Sequence, residues 1–430
     1  MAKVVVVGGG WAGCGAAAAA AKLGMETVLL EKIDHLLGAG FMAGLTSTNA
    51  KYTAINEVKA MGAPEIFEAD EAAILYRNPR VPSTENGYLY DIFKCERNVF
   101  NLLERMGVRV LLETRVVDVV VRGNRLEAVK TSQGEMIAGD SFVDATGSAG
   151  PEAACHKYGW GCVMCVFKCP AYGGRVSITE KAGVKEGMAR RRDGGYGAVS
   201  NAIAFIRESI DRDFLARYAT EDGCVLIPAP KEIGDPDLFR KIRTQQFYDS
   251  DDFNDRIVSV DNGTIKFMSR PWVNLPVLRR MEGFESVALY DPAAGGRGNA
   301  VRFLATAPWE PTLQVTERPN LFCCGEKLGM VGTTDATITG ILAGHNAARA
   351  TLGLPLLRMP RTTLIGESLA YVREKLQNPE GWYDKYSFLG TGGLGKRLKE
   401  CGLYTTDLAV VKSRIAENNL SGVLGRLEQK

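Results

Sequence analysis

Lys3-Val4-Val5-Val6-Val7-Gly8-Gly9-Gly10-Trp11-Ala12-Gly13-Cys14-Gly15 stands near the start of the chain, followed by an alanine run and then Glu26-Thr27-Val28-Leu29-Leu30-Glu31. Four consecutive valines are too short to span a membrane, and β-branched residues suit a buried parallel strand. Gly8, Gly10 and Gly13 then spell G-x-G-x-x-G. The first glycine permits a tight turn, the second lets backbone approach a pyrophosphate, and the third lets a helix pack closely on the strand. Ala16 to Ala21 supply a strong helix former whose N-terminal N–H groups and dipole face a phosphate. Gly24 ends that helix, Val28 to Leu30 form a second strand, and Glu31 closes it. That places a carboxylate about 20 residues beyond the glycines, where it accepts hydrogen bonds from an adenosine ribose. A glycine-rich turn that binds nothing is the bland alternative. Strand, triplet, alanine helix and terminal Glu in one unit outweigh it, and the chain is expected to bind a dinucleotide.

Composition bounds the remainder. The 430 residues suffice for two or three lobes, and 52 Lys+Arg against 50 Asp+Glu leave a net charge of +2, so no global field draws in nucleic acid or anionic lipid. No stretch reaches the roughly 18 uninterrupted apolar residues of a spanning helix, so the expectation is a cytoplasmic protein without membrane contact. Ten cysteines in a chain read as unexported favour metal or redox use over disulfides. No Ser-His-Asp or H-E-x-x-H arrangement appears and there are only three histidines, which argues against hydrolase chemistry.

Further along, Gly38, Gly40 and Gly44 make a glycine-rich loop where backbone could pass a flavin ring or simply connect two elements. Helical spacing covers Ala54 to Met61 and residues 92 to 106. Strands are expected at Val108 to Leu112, Val116 to Val121 and Glu127 to Thr131, with a last one running into Asp144-Ala145-Thr146-Gly147.

These segments resemble the FAD-binding half of glutathione-reductase-like flavoproteins: the glycine triplet, Glu31, Asp144-Ala145-Thr146-Gly147, and the strand Asn320-Leu321-Phe322-Cys323-Cys324-Gly325-Glu326. The resemblance implies FAD, with Gly8, Gly10, Gly13 and Glu31 on its ADP part and Gly147 beside the nucleotide. It also implies Gly325 and Glu326 on the ribityl chain, and a helix from about Ala336 whose start at Thr334 faces the flavin pyrimidine. Reduced flavin carries negative charge near N1–C2=O, which a helix N-terminus stabilises. Glu326 could otherwise be a surface acid, and Thr333 or Thr334 could serve as an N-cap either way.

Cys155, Cys162, Cys165 and Cys169, the last followed by Pro170, read C-x6-C-x2-C-x3-C-P. Thiolates at x2 and x3 spacing can wrap one metal centre, and a proline after the last cysteine occurs in bacterial ferredoxin runs, whose first gap is two residues and not six. Beside a flavin, a [4Fe–4S] cluster is favoured over structural zinc or free thiols. Cys14 is expected to be small-residue packing, and Cys95, Cys224 and Cys401 structural. Arg190-Arg191-Arg192 reads as a solvated turn or an anion grip.

The expected architecture is α/β: a Rossmann-like FAD-binding domain, three-layered with a mostly parallel sheet, at residues 1–154 and 311–355. A mixed α+β substrate lobe carrying the cysteine cluster interrupts it at 155–310, and a short helical appendage follows at 356–430. The leading reading is an FAD-dependent oxidoreductase passing electrons between flavin and cluster, for a small-molecule substrate or a redox partner protein. A non-catalytic electron carrier would need only those two groups. The second reading comes from Gly340 to Ala348 and Pro360 to Tyr371, which resemble folate- and FAD-dependent tRNA uridine methyltransferases. Against it, Ser47 stands where those enzymes carry a catalytic cysteine, and a hydroxyl is the poorer nucleophile. The near-neutral charge also disfavours RNA as a partner.

Overall fold

A computed structural model describes residues 2–38, 49–78, 86–147, 169–190, 194, 198–199, 203–228, 256–261, 265–267, 275–288, 301–302, 305–388, 390 and 392–425. The valine run forms β1 (Lys3–Val7), and the glycines lead into α1 (Trp11–Lys22), which ends at Leu23 with Gly24 in the left-handed region. β2 (Glu26–Leu30), α2 (Asn49–Ala60), α3 (Ile92–Arg105) and β3 (Arg109–Leu111) follow. A meander of β4 (Val116–Arg122), β5 (Arg125–Thr131) and β6 (Met136–Ala138) then leads to β7 (Ser141–Asp144). Much later the chain returns as β8 (Leu321–Cys323) and α4 (Thr333–Thr351). It finishes with α5 (Leu364–Leu376), α6 (Leu394–Glu400) and α7 (Leu408–Glu417).

Five strands make one parallel sheet in the order β8-β7-β1-β2-β3, with Val4↔Thr27 and Val4↔Ser141 among the partners of β1. Successive strands run outward from β1 to β3, and the chain then crosses to the opposite side of β1 for β7. That reversal opens a crevice at the carboxyl ends of β1 and β7, where α/β sheets bind ligands. Val4, Val5 and Val6 are fully buried because both sheet faces are covered, as parallel strands require. The meander β4-β5-β6 is antiparallel and half solvated.

The lobe between β7 and β8 has its own antiparallel sheet, in the order Ile203–Phe205, Ile265–Phe267, Arg256–Asp261, Cys224–Pro228. Its apolar cluster around Phe205, Phe214, Ile227 and Phe284 is separate from the main core. The last helices return to the nucleotide-binding half. The buried carboxylate of Glu57 on α2 accepts the N–H of Leu364 at 2.8 Å and of Ile365 at 3.1 Å, and pairs with Arg414 of α7 at 3.2 Å. It thereby satisfies orphan donors at the start of α5. The architecture is the FAD-binding Rossmann-like α/β fold expected from the strand, glycine and helix pattern. Among the described residues, no helix is long and apolar enough to cross a membrane.

Candidate functional site

Gly8 adopts φ +104°, and a Cβ there would sit 2.4 Å from the carbonyl oxygen of Ala145 on the turn after β7. At Gly13 a Cβ would fall 1.7 Å from the Gly8 carbonyl oxygen. These two glycines are required by backbone contact. Gly10 is different: a Cβ there meets nothing within 4 Å among the described residues. Gly10 is the N-cap, with no side-chain cap bond and no acid in the first turn, which leaves the N–H donors of α1 available to an anion. Trp11, buried beside it, has an indole N–H without a partner among the described residues.

Glu31 lies at the end of β2, and its carboxylate accepts the N–H of Gly9 at 2.6 Å and of Ile33 at 3.1 Å. Burial raises its pKa above the usual carboxylate range, and those two N–H groups work against the rise. An ionised carboxylate offers about four lone-pair sites, so acceptor capacity remains for a ribose hydroxyl. Gly147, at φ +70°, likewise has nothing within 4 Å of its Cβ position among the described residues. Gly325 follows β8, donates its N–H to Thr339 Oγ1 at 2.9 Å, and lies so close to α1 that a Cβ would sit 3.2 Å from Ala12 Cβ. Glu326 follows it, half-buried. The structure therefore brings the glycine turn, the Gly147 turn, Gly325 and the start of α4 to one edge of the sheet. Open backbone at Gly10, an orphan indole and a ribose-ready acid fit the ADP part of FAD. The donors at the start of α4 fit its other end.

The start of α4 departs from the expectation. Neither Thr333 nor Thr334 is the N-cap; Gly332 is, at φ +145°, with no side-chain cap bond. A Cβ at Gly332 would lie 2.5 Å from Asp335 Oδ2 and 3.0 Å from Lys51 Nζ, so neighbouring side chains occupy the room a capping residue needs. Thr333 and Thr334 are instead the first two residues of the helix, and Thr333 Oγ1, though buried, has no partner among the described residues.

Sequence reasoning missed two charged groupings. Asp335, fully buried, accepts the N–H of Phe388 at 2.7 Å and the hydroxyl of Ser387 at 3.1 Å, with Lys51 Nζ at 3.9 Å. Burial pushes Asp335 up to about 6, partly offset by Lys51 and by those two donors, and burial lowers the Lys51 pKa. At the ends of β7 and β8, Asp144, Glu186, Lys327 and Arg175 form a buried cluster. Lys327 Nζ is 3.0 Å from Asp144 and also pairs with Glu186, and Arg175 is 3.4 Å from Glu186. Asp144 further accepts the Thr179 N–H at 2.9 Å and the Thr146 hydroxyl at 2.7 Å. Burial acts to raise the Asp144 carboxyl, but Lys327, Arg175 and the hydroxyls outweigh it and hold the group well below the usual range. The cluster ties the segment 175–186 to the ends of β7 and β8. The only hint in the sequence was Asp144 itself, because its partners lie far along the chain.

Cys14 is buried and its thiol points at the Gly9 carbonyl at 3.3 Å, a packing role as expected. Cys155, Cys162 and Cys165 lie outside the described residues, as does the side chain of Cys169 at the start of a short helix (Cys169–Tyr172). The same is true of Gly40, Gly44, Ser47, Arg191 and Arg192. Among the described residues no group of His, Cys, Asp and Glu could hold a metal.

The sequence profile described as Glucose inhibited division protein A matches residues 3–223 and 237–355. GidA of Aquifex aeolicus, in its form II crystal, superposes with a TM-score of 0.64 at 17% identity, covering 96% of this chain and 76% of that one. The methylenetetrahydrofolate–tRNA-(uracil-5-)-methyltransferase TrmFO of Synechococcus sp. (strain JA-2-3B'a(2-13)) is 45% identical over 62 residues, 14% of each chain. TrmFO of Thermus thermophilus is 34% identical over 102 residues, 23% of each chain. The chain thus aligns with less than a quarter of the length of these curated relatives.

Proposed function

The chain belongs to the glucose-inhibited division protein A family of FAD-dependent flavoproteins, within the glutathione-reductase-like superfamily, and on that premise we propose that it modifies uridine in RNA using FAD. The observation that carries the reading is the likeness to tRNA-(uracil-5-)-methyltransferases in 62- and 102-residue stretches at 34–45% identity. It reverses the order of the two readings drawn from sequence, in which RNA was the disfavoured partner. The net charge of +2 is a sum over 430 residues, whereas phosphate contacts need only a local patch.

The residues that would hold the cofactor are those the sequence resemblance implies, and the open glycine turn and the carboxylate of Glu31 support them. The donors of α1 at Gly10 would take the pyrophosphate and Glu31 the adenosine ribose. Gly147, Gly325 and Glu326 would lie along the chain between, and the start of α4 at Thr333 and Thr334 would face the pyrimidine. FAD supplies two-electron redox chemistry at its ring when bound. The buried cluster around Asp144 would hold the segment 175–186 against the ends of β7 and β8. Ser47 in place of a thiol sets this chain apart from covalent capture of uracil by cysteine, so the modification need not be methylation.

One alternative is kept by a specific observation, the C-x6-C-x2-C-x3-C-P run: electron transfer through an iron–sulfur cluster at Cys155, Cys162, Cys165 and Cys169. One experiment separates the two. Protein purified without oxygen is assayed for flavin, iron and acid-labile sulfide. It is then incubated with unmodified tRNA, a reduced nicotinamide nucleotide and a one-carbon folate, and the nucleosides are analysed by mass spectrometry. A new mass on uridine supports the proposal. Flavin with four irons, no altered uridine and no retained tRNA would transfer the function to electron transport.

A further inference from the structure

Lys51 is a lysine where a lysine is costly. It is 5% exposed on α2, and its one charged partner among the described residues is Asp335 at 3.9 Å, beyond hydrogen-bond distance. Its Nζ stands beside the backbone of Gly332, the N-cap of a 19-residue helix. That helix start also holds Thr333 Oγ1, nine-tenths buried and without a partner among the described residues. Asp335 has two donors of its own from Ser387 and Phe388, so it does not depend on Lys51 for satisfaction. Two features without a close partner among the described residues, a buried hydroxyl and an ammonium whose one charged neighbour is loose, therefore converge at a helix N-terminus whose first turn already carries Asp335. Both favour further negative charge there.

We propose that Lys51 is the cation that stabilises the flavin ring when its pyrimidine end is negative, with Asp335 as the counter-charge that limits the effect. The inference rests on the FAD reading above and adds a residue that sets the redox poise. A fixed positive charge beside the ring favours the reduced, anionic form over the neutral oxidised one. Asp335, ionised, lowers the local field and so keeps the flavin from becoming too strong an oxidant.

The test uses sulfite, whose sulfur lone pair adds to N5 of oxidised flavin and leaves the negative charge at N1–C2=O. FAD content is measured first on each protein by absorbance of released flavin; wild type without FAD would defeat the functional reading and this proposal with it, whereas failure of this proposal alone shows in FAD-loaded protein. Sulfite is then titrated at fixed pH while the loss of flavin absorbance is followed. Lys51→Met is expected to bind sulfite at least tenfold more weakly than wild type. Each tenfold corresponds to about 30 mV in a two-electron midpoint. Lys51→Arg is expected to stay within a few-fold. Asp335→Asn, which removes the opposing charge, is expected to bind sulfite several-fold more tightly, and it provides a reading of opposite sign if Lys51→Met does not fold. Full FAD content with unchanged sulfite affinity in Lys51→Met overturns the proposal, as does unchanged or weakened binding in Asp335→Asn.

Discussion

Replacing Gly344 by alanine should destabilise the protein by driving α1 and α4 apart. At this crossing a Cβ on Gly344 would lie 2.1 Å from the carbonyl oxygen of Ala16, and one on Gly340 would lie 2.0 Å from that of Ala12. Gly15 repeats the relation from the other helix, its Cβ position falling 2.6 Å from the Thr337 carbonyl oxygen. Ordinary carbon–oxygen contact needs about 3.2 Å or more, so the helices must separate by roughly 1 Å. Overpacking of that kind costs ~1–3 kcal/mol, occasionally more, and opposes the ~1 kcal/mol that alanine contributes over glycine to helix propensity. The net expectation for Gly344→Ala is a loss of about 2 kcal/mol. The double variant with Gly340→Ala should fall short of additivity, because one separation relieves both clashes. Moving α1 also moves the Gly10 donors, so FAD affinity should drop with stability. Urea midpoints at constant m, with FAD content measured in parallel, provide the assay. Gly107→Ala is the control: it has φ +79° but open space around its Cβ position, so only backbone strain is expected there. Should Gly344→Ala prove as stable as wild type with its flavin intact, the idea that carbonyl–glycine contact sets this crossing is wrong.

Two other outcomes follow from buried charge. His345 sits fully buried in α4 with both ring nitrogens unpartnered, and burial lowers it to about 4. The folded state thus binds its proton later than the unfolded chain. Stability is intact above pH 6.5 and falls by about 3 kcal/mol as pH drops towards 4. Asp335, raised to about 6, acts in the opposite direction over part of that window, so the difference between wild type and His345→Leu is the quantity to measure. The substitution should shrink the acid sensitivity, and an unchanged pH profile would refute the reading. Lys327→Met removes a cation held between Asp144 and Glu186 and should cost roughly 3–5 kcal/mol at neutral pH. In wild type the depressed Asp144 contributes stability that is lost as pH falls below the usual carboxylate range. In the variant burial goes unopposed by Lys327, so the gap to wild type should narrow on acidification through the carboxylate range, read from thermal melts at pH 3 and pH 7.

The glycine turn was legible because its reasons are local. Val4 to Val7, Gly8, Gly10, Gly13 and Glu31 lie within one strand–turn–helix–strand unit, and each residue type answers a demand made by its near neighbours. Helix boundaries were less legible. The start of α4 looked like a threonine cap, and Gly332 took the position because Asp335 and Lys51 fill the space beside it. Neither side chain could be placed there from spacing alone. The RNA question turned on a whole-chain charge, which carries no information about where charges sit.

Pattern along the chain determined the α/β class, the dinucleotide turn and the acid at the end of the second strand, since hydrophobic period and backbone permissiveness act over a few residues. Which charges meet was decided only by the fold. Lys51 faces Asp335, and Asp144 gathers Lys327, Glu186 and Arg175, through a sheet order that sends the chain away from β1 and back. Burial then makes those encounters matter, because a charge removed from water must find its partner in three dimensions, wherever the sequence has put it.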